Sequence, residues 1–470
     1  MAADQHLLVY FTAMDNQGNI IVRDTPKLDL DLYIANYTGR TRFERLLLIG
    51  QCSVPLCVDA LKAAVAEAKR GKDIQRYRDA WELIRVAAPG EPEARWDEQW
   101  ATKTETANEE ETHRLEAELK GYKNNLVKES IRIGHRDLGE HLESIGDLNA
   151  ASDTYFKMRP DASTQSHILD VGKHVISVLV QKRDWAGVLT NVGKVLGPNM
   201  RSTTSEERNA EQPYQKMVCG LAHLGSGVYY EAARCFLQAG DPNVCQIYND
   251  VASPNDVATY GGILALASMD RKELQSRVLD NSSFRNYLEL EPHIRKAVSM
   301  FVNGRYSACL EILESYRNDY LLDIYLQKHV STLFSQIRSK CIVQYFMPFS
   351  CVTLDTMNKA FAKPGQSIDA ELIGMIKSGV LNARINTIDK LLVGVYPNKR
   401  ATLQQNALKN AKEYEKEALD QIRRMSIVAA GLEVRGSQKG AGGGAGSLPG
   451  VGDVWMDDDR RLPTSSEGMT

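Results

Sequence analysis

From Leu28 onward, apolar residues recur every three or four positions, the period at which one face of a helix repeats. Leu30, Tyr33 and Ile34 open the series, and Thr41 is placed to cap a helix over residues 42–50. Val58, Leu61, Val65 and Ala68 line one face of a helix over 54–70, and Tyr77, Trp81 and Ile84 line the next, over 74–86. Pro89-Gly90 and Pro92 break the pattern. Leu115, Leu119, Tyr122 and Leu126 then form the stripe of a longer helix, with Glu109-Glu110-Glu111 near its start, where negative charge suits the helix dipole. Before Leu28 the pattern differs. Short apolar runs at 7–11 and 20–22 flank Asn16-Gln17-Gly18-Asn19, which has turn chemistry, and predict a small hairpin in segment 1–27.

Past residue 135 the pattern becomes repetitive. A turn, an aromatic or leucine and then a small residue recur at Gly146-Asp147-Leu148-Asn149-Ala150, Arg183-Asp184-Trp185-Ala186, Gly227-Val228-Tyr229-Tyr230-Glu231-Ala232 and Gly304-Arg305-Tyr306-Ser307-Ala308. A weaker instance is Asp270-Arg271-Lys272-Glu273-Leu274. Marks at 147, 184, 228, 270 and 305 are spaced by 37, 44, 42 and 35 residues, the size of tetratricopeptide-like helical hairpins. The small residue is expected to let the second helix of each hairpin approach the first.

Around residue 339 the elements shorten. Helices are expected over 339–345, 354–361 and 368–377, the last ended by Ser378 and a left-handed Gly379. Residues 381–385 and 388–395 are rich in leucine and β-branched side chains and turn at Asn386-Thr387. Three small helices and a two-stranded wing make a winged helix. Beyond Pro397-Asn398, residues 401–429 form one unbroken helix candidate, about 43 Å long. Its seam is Leu408, Ala411, Ala418, Ile422, Met425 and Ala429, with Glu415 the one violation. So long an apolar stripe needs other helices to cover it. The fold class is therefore all-α, with a small β wing. The expected order is an N-terminal segment (1–27), a helical region (28–134), repeats (135–338), the winged helix (339–400), a bundle helix (401–430) and a Gly-, Ser- and Asp-rich disordered tail (431–470).

Composition removes several function classes. A net charge of −3 argues against a chain whose task is coating nucleic acid. The winged segment 339–400 carries eight Lys or Arg against four acids, but the helix that would enter a groove has Asp369, Glu371 and one base. Protein contact, not DNA, is the expectation there. No secretory signal or membrane-spanning run is visible, and the eight scattered cysteines read as buried free thiols of a reducing compartment. His135-Arg136-Asp137-Leu138 matches a fragment of the kinase catalytic loop, yet position 142 is Leu142 where a metal-holding Asn belongs. It reads instead as the start of a repeat helix. His135 and His141 are six apart, off the i, i+4 spacing of a helix-borne zinc pair, and His167 and His174 are seven apart on one helix without cysteines or carboxylates at matching positions, so no metal site is expected. The glycine run at 440–446 lacks the Lys-Ser or Lys-Thr of a phosphate loop. No catalytic residue and no cofactor is expected.

Helical hairpins running into a winged helix and a long terminal helix resemble the PCI-domain family, shared by the proteasome lid, the COP-nine signalosome and a translation initiation-factor complex. Tyr345-Phe346-Met347-Pro348-Phe349-Ser350, Asp369-Ala370-Glu371-Leu372, Ile376-Lys377-Ser378-Gly379-Val380-Leu381 and Ala383-Arg384-Ile385-Asn386 carry the likeness. PCI wings usually read Lys-Ile-Asp where this chain has Arg384-Ile385-Asn386. Residues 33–46 (YIANYTGRTRFERL) and 124–132 (NNLVKESIR) are similar to the signalosome's first-subunit family.

The resemblance implies a non-catalytic scaffold of the complex that removes Nedd8 from the cullins of ubiquitin ligases, in cytoplasm and nucleus. The isopeptidase would be another subunit, with a His-x-His motif absent here. It further implies a wing (Leu381, Arg384, Ile385, Asn386, Ile388, Leu391 and Val393) that pairs with a neighbouring PCI subunit, a terminal bundle helix, and the N-terminal repeats as an outward arm towards a cullin-ligase component. A paralogous proteasome-lid subunit and a free-standing helical-repeat adaptor remain the alternatives.

Overall fold

Amphipathic periodicity becomes helix along most of the chain. The computed structural model describes residues 2–195, 205–240, 242, 249–362, 367–395 and 399–432. The breaks expected at Lys363-Pro364-Gly365 and Pro397-Asn398 lie outside the described residues, as does the expected tail from 433 onward.

The N-terminal hairpin does not form. Ala2–Asn16 is a helix (α1) ended by Gly18 at φ +83°. Leu7, Tyr10, Phe11 and Met14 follow helical spacing, and the last three are buried. The Tyr10 hydroxyl donates to the Gly50 carbonyl at 3.2 Å. Val22 lies beside Ser53 in an isolated parallel bridge. Helices α2 (Leu30–Ala35), α3 (Gly39–Cys52), α4 (Cys57–Arg70) and α5 (Ile74–Ala87) complete this layer around their own apolar core. Thr41 caps nothing. It sits inside α3, and its hydroxyl donates to the Asp250 carbonyl.

The long helix α6 (Glu98–Asn125) leads into the hairpins: α7 (Lys128–Ile145) with α8 (Leu148–Lys157), α9 (Gln165–Gln181) with α10 (Trp185–Val195), and α11 (Ser205–Gly225) with α12 (Tyr229–Phe236). Next come α13 (Pro254–Ser268), α14 (Ser282–Leu290), and a hairpin of α15 (Pro292–Val302) with α16 (Tyr306–Ser315). Four of the expected reversals are left-handed residues: Gly146, Arg183, Gly227 and Gly304. The fifth, at Asp270, is a capping box with Glu273. His135 is buried in mid-α7, so the His-Arg-Asp-Leu fragment starts no helix.

The alanine after the turn does not serve this role throughout, since Ala232 is fully buried but Ala186 is exposed; at two hairpins the residue that permits close approach lies elsewhere. It is a glycine on the first helix that faces an aromatic ring on the second. A Cβ at Gly139 would lie 2.4 Å from the Tyr155 ring, and one at Gly220 would lie 2.7 Å from Phe236. Tyr155 is fully buried and cannot swing out. Gly139→Ala therefore costs about 1–2 kcal/mol even after the gain in helix propensity. The expected readout is a lower thermal midpoint with helix content unchanged. An unaltered midpoint would mean that the contact is slack.

Helix α17 (Val330–Phe346) crosses the expected boundary at 338/339, just as α7 crosses that at 134/135. One continuous core runs from Ala151 to Leu392, so hairpins and winged helix form a single packed body. The winged helix adds α18 (Leu354–Phe361), α19 (Asp369–Lys377) and a sheet of β1 (Cys351–Thr353), β2 (Ala383–Asn386) and β3 (Leu391–Gly394) in the order β1-β3-β2, all antiparallel. The third strand, β1, is three residues long behind Pro348 and gives no alternation to read. Gly379 takes the expected left-handed cap at φ +74°. Residues 1–395 form one compact unit, and the terminal helix α20 (Lys399–Ala429) belongs to a second.

The N-terminal layer packs against the repeats. It folds back on the repeats through Arg45, whose side chain is fully buried. Its Nη2 donates to Asp256 at 2.9 Å and its Nη1 to Asp323 at 2.6 Å and to the Tyr33 hydroxyl. The guanidinium lies 4.1 Å from the centre of the Tyr37 ring. Tyr37 donates to Asp256 at 2.8 Å, and Tyr260 to Asp323 at 2.7 Å. Burial alone would lower the Arg45 pKa, but Asp256 and the surrounding groups outweigh it and hold the cation. Burial pushes the Asp256 carboxyl up to about 6, against the opposing pull of Arg45.

Candidate assembly surface

The wing presents two faces with opposite character. Register places Val352, Leu392 and Ile385 in one row across the sheet, and Cys351, Val393 and Arg384 in another. Val352 and Leu392 are buried and Ile385 packs against the core, whereas Cys351, Val393 and Arg384 are exposed. Leu381 is buried, its backbone N–H bonded to the Met375 carbonyl, and cannot belong to an interface. Ile385 likewise faces inward. Asn386 serves the turn: its side-chain oxygen accepts from the N–H groups of Ile388 and Asp389, and its amide donates to Asp389 at 2.8 Å. Of the expected wing residues, Arg384, Ile388, Leu391 and Val393 remain available. Ile388 is 90% exposed at the hairpin tip. Sequence reading missed the neighbouring apolar side chains Met347, Phe349 and Val380, all exposed. Strands β1 and β2 are the two edges of the sheet.

Nucleic acid has little to hold here. On the helix that would enter a groove, both carboxylate oxygens of Glu371 accept from the Arg338 Nε–H, at 2.8 and 3.0 Å. Lys340, one of the eight basic residues, points inward and donates to the Leu266 and Met269 carbonyls. Burial lowers its pKa to about 8.

The terminal helix supplies the larger surface. Leu408 is 64% exposed, Ile422 58% and Met425 70%, with Ala411 and Ala429 also open and Ala418 half-buried. The period called for one stripe, but the distal third carries apolar groups on further sides, because Leu419, Ile427 and Val428 are exposed as well. These were legible as residues. They lie off the 3.5-residue seam and so escape a search for a single face. At 31 residues the helix spans about 46 Å.

Elsewhere, a cleft of about 820 Å³ separates the N-terminal layer from the hairpins, with Arg40, Arg76 and Arg183 facing Glu44, Glu140 and Glu143. His174 stacks on Tyr155 with ring centres 5.0 Å apart, and His167 lies 3.6 Å from Glu129. Among the described residues no three His, Cys, Asp or Glu side chains are grouped to hold a metal ion, and no helix is long and apolar enough to cross a membrane. The seven described cysteines are free thiols; Cys351 is exposed, against the expectation of burial, and Cys245 lies outside the described residues.

Comparison with known proteins fits this layout. Residues 97–277 match the family described as 26S proteasome subunit RPN7, and residues 313–393 match the PCI domain. The chain is 52% identical to COP9 signalosome complex subunit 1 of Neurospora crassa, over 93% of this chain and 96% of that one. It is 49% identical to the protein of the same name in Emericella nidulans, over 88% and 84% of the two chains. The corresponding figures for the Arabidopsis thaliana protein are 35%, 88% and 92%.

Proposed function

Since this chain belongs to the COP9 signalosome subunit 1 family, we propose that it works as a non-catalytic scaffold, holding other PCI subunits in the complex that removes Nedd8 from cullins. The observation that carries this reading is the terminal helix, whose apolar stripe from Leu408 to Ala429 faces solvent. A stripe of that length in water favours association, because apolar burial stabilises by about 25 cal/mol per Å². The outer face of the wing, with Arg384, Ile388 and Val393, is the second contact we assign to a neighbouring PCI subunit. Either sheet edge offers backbone groups to a neighbour's strand. We assign a cullin-ligase component to the N-terminal layer, and cytoplasm and nucleus as the places of action.

Affinity purification of the tagged full-length chain tests the reading. The expected result is recovery of PCI-domain partners, together with a rise in Nedd8-modified cullin when the gene is deleted. Recovery of proteasome peptidases without a cullin effect would favour a lid role, the reading suggested by the match over residues 97–277. A chain recovered alone would leave the free-standing adaptor.

A further inference from the structure

The stripe on α20 advances by alternate steps of three and four through Leu408, Ala411, Glu415, Ala418, Ile422, Met425 and Ala429, the a and d positions of a heptad. Glu415 is its only charge. One turn away on its own helix, Ala411, Ala418 and Leu419 at i−4, i+3 and i+4 carry no charge, and Lys412 at i−3, beside the stripe, forms no ion pair with it. The ion pairs of the helix, Lys409 with Glu413 at 3.8 Å and Arg423 with Asp420 at 3.0 Å, lie off the stripe. Among the described residues Glu415 enters no ion pair. In water this costs nothing. Once another helix covers the stripe, an unmatched carboxylate costs several kcal/mol, and a cation opposite it removes that cost. The flanking alanines supply room: small side chains one turn to either side leave a hollow for a long aliphatic stem that ends in charge.

We propose that α20 binds a helix of a different chain, apolar opposite Ile422 and Met425, that places a Lys or Arg side chain into the hollow between Ala411 and Ala418 to meet Glu415. This rests on the reading of α20 as an assembly element and adds the feature that selects its partner. A second copy of this chain in parallel register would set Glu415 against Glu415, so like charge disfavours it. Glu415 thus acts as a polar key: it permits a helix with the matching cation and penalises one without.

The test uses the full-length chain co-expressed with its co-purifying subunits, with a photo-crosslinking residue at position 411 to identify the facing peptide. The peptide is expected to carry Lys or Arg within one turn of the crosslink. Glu415→Lys should lower the co-eluting fraction by at least about tenfold, and reversing the partner's cation to Glu should restore it. Glu415→Leu, which leaves no charge to match, should still enter the assembly. Glu415→Lys entering as the natural chain does, or a facing peptide without a cation, would overturn the proposal. Ile422→Asp run in parallel separates the two levels: if it too enters normally, α20 is no assembly element and the underlying reading fails instead.

Discussion

Arg45→Met lowers stability by about 3–5 kcal/mol and loosens the N-terminal layer from the hairpins, while the secondary structure of each remains. The cost arises because two carboxylates, Asp256 and Asp323, stay buried after their shared cation is gone. Limited proteolysis and hydrogen exchange of residues 30–52 should report the loosening before global unfolding. The effect has a signed pH dependence. The Asp256 carboxyl is already held above its free value of 3.8, at about 6, so the folded state takes up a proton in that window more readily than the unfolded one. Its contribution to stability is present at low pH and fades as pH rises through about 6. Without Arg45 the Asp256 carboxyl loses the group that favours its charged form. The destabilisation should then be smaller at pH 5 than at pH 8. A midpoint shift equal at both would mean that the carboxylates are not the source.

The second large effect is on assembly and leaves the fold intact. Ile422→Asp combined with Met425→Asp puts two charges on the stripe of α20, where both side chains are exposed in the free chain. Folding of the free chain should not change, since neither residue contributes to its core. If another chain covers the stripe, each buried aspartate costs several kcal/mol, and together they reduce incorporation by two or more orders of magnitude. Size-exclusion chromatography would show the variant at the mass of the single chain. Co-elution at high mass would refute the bundle role of α20.

The helical order was readable from periodicity because each hairpin buries one face of each helix, and burial on one face is what a 3.6-residue pattern records. The reversals were readable because a left-handed residue such as Gly146 or Gly304 leaves a chemical mark. Arg45 left none. A charged residue in a helical pattern reads as solvent-facing, and its partners lie 211 and 278 positions away. Nothing local tells such an arginine from one in water. Strand β1 and the inward turn of Leu381 and Ile385 were hidden for a related reason, since short strands carry too few residues to fix a face. On α20 the seam was legible in full, including Glu415, because residue spacing along one helix carries the whole pattern.

Hydrogen exchange along residues 408–429, in the free full-length chain and in the purified assembly, tests the central claim most directly. The account predicts amides that exchange quickly in the free chain, where the apolar stripe meets water, and at least about a hundredfold more slowly in the assembly, with the strongest protection from Leu419 to Ala429. Equal exchange in both states would contradict it.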